Sequence, residues 1–289
     1  LRPLPPFFDH KYRIVYSIIE SINKIEEIKH PPVREILKYY SVKGGLEIHH
    51  DGDLPARSGL GSSSAFTVGL LNAMNAFLGK KSDSSNLAKT AIYIEQELLK
   101  EHVGSQDQIS AAYGGFNEIG FHEDGEFTIT PVGVNKTRLD DLNKHLMLFF
   151  TGVSRFSSEI AQSQIANMDN CINQMNELYE MVDEGSSILS NNNTPIDDFG
   201  KLLHNAWITK RSLSNKISNS TIDELYDAAI RSGAIGGKVL GAGGGGFILF
   251  FVKPENQDKV KRALPKLTYV PFNFENSGSK IVVNQPNGF

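Results

Sequence analysis

Along this chain, apolar positions repeat in blocks whose period switches between that of a strand and that of a helix. Leu46-Glu-Ile-His-His50 alternates and predicts a strand, whereas Ala65 to Leu78 is apolar apart from Thr67, Asn72 and Asn75 and predicts a buried helix. After a polar linker, Lys80 to Ser85, the stretch Leu87 to Leu99 carries a helical apolar face of Leu87, Ala88, Ala91, Ile92, Leu98 and Leu99. Strands are predicted over Phe127 to Thr130, Leu146 to Phe150 and Phe247 to Val252, with two more flanking the turn Asn276-Ser-Gly278. Helices are predicted around Lys11 to Ile28, over Ser157 to Leu189, around Phe199 to Lys216 and Ile222 to Ser232, and over Gln257 to Leu264. Asn191 to Pro195 is a polar break. The pattern is α+β, with an antiparallel sheet covered by helices on one face and a domain boundary near Asn143.

The stretch between the first strand and the buried helix, Pro55-Ala-Arg-Ser-Gly-Leu-Gly-Ser-Ser-Ser-Ala65, joins two glycines to three hydroxyls. A helix N-terminus has amide donors without intrahelical partners and the positive end of the macrodipole, which together favour an anion. Gly59 and Gly61 let backbone approach a phosphate, and a hydroxyl among Ser62, Ser63 and Ser64 can reach an attendant Mg2+. The alternative is an ordinary turn capped by serine. No lysine precedes Ser62, so the loop is not a Walker A motif, and Ser64 replaces the third glycine of a dinucleotide fingerprint.

Glu95 falls inside the apolar face of its helix, where an unpaired charge is costly. It calls for a cation: Mg2+ beside a phosphate loop, or an arginine or lysine in a structural ion pair. Glu97 lies at the stripe's edge as a solvated partner for Lys100. Twelve residues beyond Glu95 stands Asp107, in Gly104-Ser-Gln-Asp-Gln-Ile. On its own it reads as an acid favoured by the dipole of a helix that Ser105 caps. A second glycine run, Gly236-Gly-Lys-Val-Leu-Gly-Ala-Gly-Gly-Gly-Gly246, leads directly into an apolar strand, unlike a flexible spacer.

Pro55, Gly59, Leu60, Gly61, Ser62 and Ser63 match the second motif of the GHMP kinase superfamily, and the chain is identified by resemblance as a member; Ser64 stands where the family often has alanine. The run containing Gly241, Gly243 and Gly244 resembles its third motif, which helps to shape the triphosphate pocket. The resemblance implies a ribosomal protein S5 domain 2-like N-terminal domain over residues 1–143 and a ferredoxin-like C-terminal domain over 144–289. It also implies ATP and Mg2+, with Ser63 and Glu95 as metal ligands and Asp107 as the group that accepts or orients the proton of the substrate hydroxyl. Ser105-Gln-Asp-Gln108, Ala111 to Asn117, Phe149-Phe-Thr-Gly-Val-Ser-Arg155 and Gly236 to Phe247 resemble the D-glycero-D-manno-heptose 7-phosphate kinase branch. That branch phosphorylates the anomeric hydroxyl of a sugar phosphate. Arg155 and Arg57 are the expected clamps for the phosphate the substrate already carries. The alternatives are a kinase of the same fold for another sugar, such as fucose, and a silent sugar or nucleotide sensor.

Family members open with a strand pair bearing a first motif. No counterpart is legible between Leu1 and Ile28, so the expectation is a fragment of a longer reading frame rather than a truncated protein with a damaged sheet and substrate pocket. With 289 residues, 40% hydrophobic and 21% charged, the composition is that of a globular enzyme. A net charge of -4 argues against a general nucleic-acid partner, and apolar runs such as Phe247 to Val252 are too short for a bilayer. A single cysteine, Cys171, fits a reducing cytoplasm. His49 and His50 are read as structural, and Lys210, Arg211 and Lys216 as a solvated face. The oligomeric state stays open.

Overall fold

A computed structural model describes residues 1–54, 58–153 and 157–285. The chain forms two compact units, one of residues 1–56, 61–114 and 277–289, the other of residues 57–60 and 115–276.

In the first unit, strands β1 (Arg2–Pro3), β2 (Tyr12–Val15), β3 (Ile19–Ile22) and β4 (Leu46–His49) form one sheet in the order β1-β4-β2-β3. β2 runs parallel to β4 and antiparallel to β3. The helix expected around Lys11 to Ile28 is therefore a strand pair. Its period is two, since Tyr12 and Ile14 are buried while Arg13 and Val15 are only partly so. Helix α1 (Pro31–Tyr39), which the apolar pattern did not single out, begins with two prolines, residues suited to a first helical turn. Its buried face is Val33, Ile36 and Leu37.

Helix α2 (Ser62–Phe77) is buried as expected, and its polar residues are satisfied internally. The Thr67 hydroxyl donates to the Ser63 carbonyl, Asn72 donates to Ser279 Oγ, and Asn75 donates to Ser82 Oγ while accepting from Tyr40. Helix α3 (Ser84–Tyr93) follows, and the predicted continuation to Leu99 widens into a π-turn over Ile94–Leu98, with the Leu99 amide bonding back to Ile94. Helix α4 (Gln106–Tyr113) completes this unit. Ser105 precedes α4 but makes no side-chain cap; its hydroxyl instead accepts from Gln96.

The second unit has a hairpin, β5 (Asn117–Phe121) with β6 (Phe127–Pro131), then α5 (Lys136–His145), β7 (Leu146–Phe150), α6 (Ser157–Ala166), α7 (Ile172–Ser190), α8 (Asp197–Ser212), α9 (Ser220–Arg231), β8 (Ala234–Val239), β9 (Phe247–Val252), α10 (Gln257–Ala263) and β10 (Thr268–Val270). An antiparallel sheet runs β10-β7-β9-β8. The long helix expected from Ser157 breaks at Met168–Asn170, where the Asn167 amide donates to the Leu213 carbonyl instead of facing solvent.

Helices were expected on one face of this sheet, but both faces are covered. Met147, Phe149, Ile248 and Phe250 join Trp207, Ile222, Tyr226 and Val260 in the larger cluster. Leu146 and Phe251 join Leu142, Leu189 and Ile196 in a smaller one. The strands expected around Asn276-Ser-Gly278 are not strands. Gly278 instead packs on the Ala112 and Tyr113 backbone, and the Ser279 amide donates to the Ala111 carbonyl.

Candidate active site

Within the first unit, three elements bring the predicted acids to the start of α2. Gly61 is the N-cap residue, with φ of 67°, a left-handed conformation that favours glycine. A Cβ there would lie 2.9 Å from Asp107 Cγ, so only glycine lets the Asp107 carboxyl rest against the backbone that opens the helix. No side chain caps α2; the first backbone bond of the helix runs from the Ala65 amide to the Gly61 carbonyl, which leaves the amides of Ser62, Ser63 and Ser64 at its mouth. Asp107 keeps an exposed side chain, yet the atoms crowded around its carboxyl raise its pKa by desolvation.

Behind this mouth lies Glu95, only 1% exposed. The π-turn turns it inward, and such turns recur at functional sites. Its Oε2 accepts from Ser64 Oγ at 2.9 Å and from Gln108 Nε2 at 2.5 Å, while its Oε1 is buried with no protein partner. The structural ion pair left open by the sequence is not made: no arginine or lysine lies within ion-pair distance of Glu95 among the described residues. A buried carboxylate with one oxygen held and the other bare fits a divalent cation. Ser62 is half-buried and Ser63 exposed, so both hydroxyls lie at the open end of α2. Glu97 pairs with Lys100 as expected.

Ser58, Gly59 and Leu60 belong to the second unit, where they pack on the glycine run. Gly241, with φ of 65°, would place a Cβ 2.9 Å from Gly59 Cα, so the two loops approach as closely as bare backbone permits. Gly246 packs on the Ser58 carbonyl. The Gly244 amide donates to Ile217 and the Gly246 amide to Val153, and Gly243 lies against the Ile217 backbone. The run is thus tied down by its own backbone bonds and shapes the loop that leads into α2. Pro55, Arg57 and Arg155 lie outside the described residues.

Three residues do something the sequence reading did not assign them. Ser64, read as one of three loop hydroxyls for phosphate or Mg2+, donates to Glu95 instead, and Gln108, beside Asp107 in sequence, does the same from α4. Lys210, read as part of a solvated face, lies half-buried on a cavity wall, with its Nζ 2.6 Å from the Gly241 carbonyl. A helical-face count through Trp207, Lys210 and Leu213 would have placed it beside the core. Its neighbour Arg211 pairs with Asp223, and His49 and His50 act structurally, His49 bonding Glu47 and His50 packing on Phe66.

Each unit mixes strands with helices, the α+β class expected from the sequence. The profile of the GHMP kinases N terminal domain matches residues 23–115 and that of the GHMP kinases C terminal domain residues 191–270. The chain belongs to the GHMP kinase family and is an ATP-dependent kinase. It is 31% identical to the D-glycero-alpha-D-manno-heptose 7-phosphate kinase of Campylobacter jejuni, over 81% of this chain and 70% of that protein. It is 25% identical to the mevalonate kinase of Methanocaldococcus jannaschii, over 81% of this chain and 71% of that one. Among solved structures, a D-glycero-D-manno-heptose 1-phosphate kinase from Bacteroides thetaiotaomicron shares the fold with a TM-score of 0.74 at 24% identity, over 94% of this chain and 84% of that one.

Proposed function

We propose that this kinase transfers the γ-phosphoryl group of ATP to the anomeric hydroxyl of a D-glycero-D-manno-heptose 7-phosphate, giving a sugar bisphosphate. The observation that carries the chemistry is the Asp107 carboxyl seated on Gly61 at the open start of α2. The similarity to the Campylobacter jejuni protein supports the choice of acceptor.

In this reading Pro55, Gly59, Leu60, Gly61 and Ser62 to Ser64 hold the nucleotide's phosphates, with Gly241, Gly243 and Gly244 shaping the loop. Glu95 and Ser63 hold Mg2+, with Ser64 and Gln108 fixing the carboxylate. When bound, Mg2+ neutralises charge on the phosphate oxygens. Asp107 takes the proton from the acceptor hydroxyl. That oxygen bonds to the γ-phosphorus, and the bond to the β-phosphate oxygen breaks, with ADP leaving with the electron pair. The raised pKa of Asp107 suits a proton acceptor, because desolvation increases its proton affinity. Little covalent chemistry is asked of the protein, so position and electrostatics carry the rate.

The test is ADP release on a panel of heptose 7-phosphate, heptose 1-phosphate, free heptose, fucose and mevalonate. Turnover confined to heptose 7-phosphate and lost in Asp107→Asn supports the reading. Turnover on another member of the panel replaces the acceptor but keeps the chemistry. Tight ATP binding without turnover on any of them makes the protein a sensor.

A further inference from the structure

Helix α4, which carries Asp107 and Gln108, is only eight residues long, and a helix that short does not hold itself in water. Its N-terminus has no side-chain cap. Its other end is held by residues 277–279, which belong to the same unit although they lie far along the chain. The Ser279 amide donates to the Ala111 carbonyl at 2.9 Å, satisfying one of the carbonyls that a helix end leaves unpaired. Gly278 lies bare on the Ala112 and Tyr113 backbone, and Gly114, the C-cap residue with φ of 62°, lies bare on Ser277 and Gly278. A Cβ on either glycine would meet backbone atoms, so segment and helix end approach as closely as two main chains can.

The Ser279 hydroxyl also accepts from Asn72 Nδ2 at 3.1 Å. Asn72 is 9% exposed and lies on α2, the helix whose start meets Asp107. One residue therefore ties α2 to α4, roughly 15 Å along α2 from Ser62. On α4 the tie is close to the chemistry, since Ala111 and Ala112 stand four residues beyond Asp107 and Gln108, one turn along the same faces. Asp107 rests on Gly61 and Gln108 donates to Glu95, so a shift of α4 against α2 is felt at both. A misplacement of about 1 Å at reacting groups lowers a rate about 10²-fold.

We propose that Ser279 and Asn72 are positioning residues for phosphoryl transfer. The clasp they form with Gly278 sets where α4 lies on α2, and so where the Asp107 carboxyl and the Gln108 amide stand. This rests on the reading of Asp107 as the proton acceptor.

The experiment compares the full chain with its Ser279→Ala, Ser279→Thr, Gly278→Ala and Asn72→Leu forms, and with Val33→Ala, which opens a cavity in the buried face of α1. Rates are read with whichever acceptor the unmodified protein turns over, beside melting temperatures and hydrogen exchange over residues 106–114. Gly278→Ala should lower kcat about 10- to 100-fold, and Ser279→Ala and Asn72→Leu about 3- to 10-fold, with KM for ATP within about 2-fold. Ser279→Thr keeps the hydroxyl and should stay within about 2-fold of the unmodified kcat. Exchange over 106–114 should quicken about 10-fold in the three damaging variants and not in Ser279→Thr. Val33→Ala should melt lower than Ser279→Ala yet keep its kcat. Unchanged exchange over 106–114 overturns the proposal, as does a kcat that survives quickened exchange or falls in Val33→Ala in step with its melting temperature. Full turnover in Asp107→Asn removes the proton acceptor and not the clasp, which the exchange data decide without any acceptor present.

Discussion

At the scale of single residues, two side chains separate binding from chemistry. Asp107 pays for its position at Gly61 with desolvation, which makes a double expectation for Asp107→Asn. With the proton acceptor gone, kcat should fall about 10²- to 10⁴-fold. Because the folded-state pKa is raised, the charged carboxylate opposes folding. That cost is absent at low pH, where the group is protonated in both states, and complete once pH exceeds the folded pKa. The Asn variant should therefore melt higher than the wild type at pH 7, and the gap should close toward pH 3. Ser64→Ala tests the other residue. Glu95 would keep Gln108 but lose a donor that fixes its Oε2. Loss of such an outer hydrogen bond should raise the Mg2+ concentration for half-maximal rate about 10- to 100-fold, with kcat at saturating metal changed less. An unchanged Mg2+ dependence would remove Glu95 from the metal site.

At the scale of elements, the helix start is the part that tolerates least. Gly61→Ala forces a Cβ to 2.9 Å from Asp107 Cγ and keeps a left-handed backbone that costs an L-residue roughly 1–2 kcal/mol. The expected result is a modestly lower melting temperature and a kcat loss out of proportion to it, because the side chain displaced is the proposed base. Equal activity at saturating substrates would show that Asp107 does not act from this position. The buried helix, its glycine entry and the inward Glu95 were legible in the sequence, because an uninterrupted apolar run and a carboxylate within a helical stripe are strong local signals. The π-turn that aims Glu95 was not, since one extra residue in a turn leaves the composition unchanged. Nor was the Tyr12–Val15 and Ile19–Ile22 pair, where four-residue strands beside charged residues imitate a helical face. The role of Ser64 depends on Gln108 and Glu95 meeting it from other elements, which spacing alone does not reveal.

At the scale of the whole molecule, a buried Glu47 and a half-buried Lys210 shape the pH dependence of stability from opposite sides. Glu47, 1% exposed in the middle of the first sheet, accepts from Arg2 and His49. Burial raises its pKa, but the hydrogen bonds and charges of His49 and Arg2 outweigh burial and hold it below the usual carboxylate range. It therefore contributes stability that is present above the unfolded pKa and is lost as pH falls through the folded one, so Glu47→Gln should narrow the acid dependence of the melting temperature. Lys210 acts at the alkaline side in the reverse sense. With its folded pKa lowered to about 8, the cost of its charge is fully present at neutral pH and is relieved as pH rises from there toward the unfolded value of 10.5. The ionisable groups sharing its cavity are Lys238 and Glu118. Between pH 7 and pH 9.5 the contribution of Lys210 to stability should thus increase, and thermal melts across that range should show it as a smaller alkaline loss than in Lys210→Met. Identical pH profiles for the two proteins would assign the titration to another group.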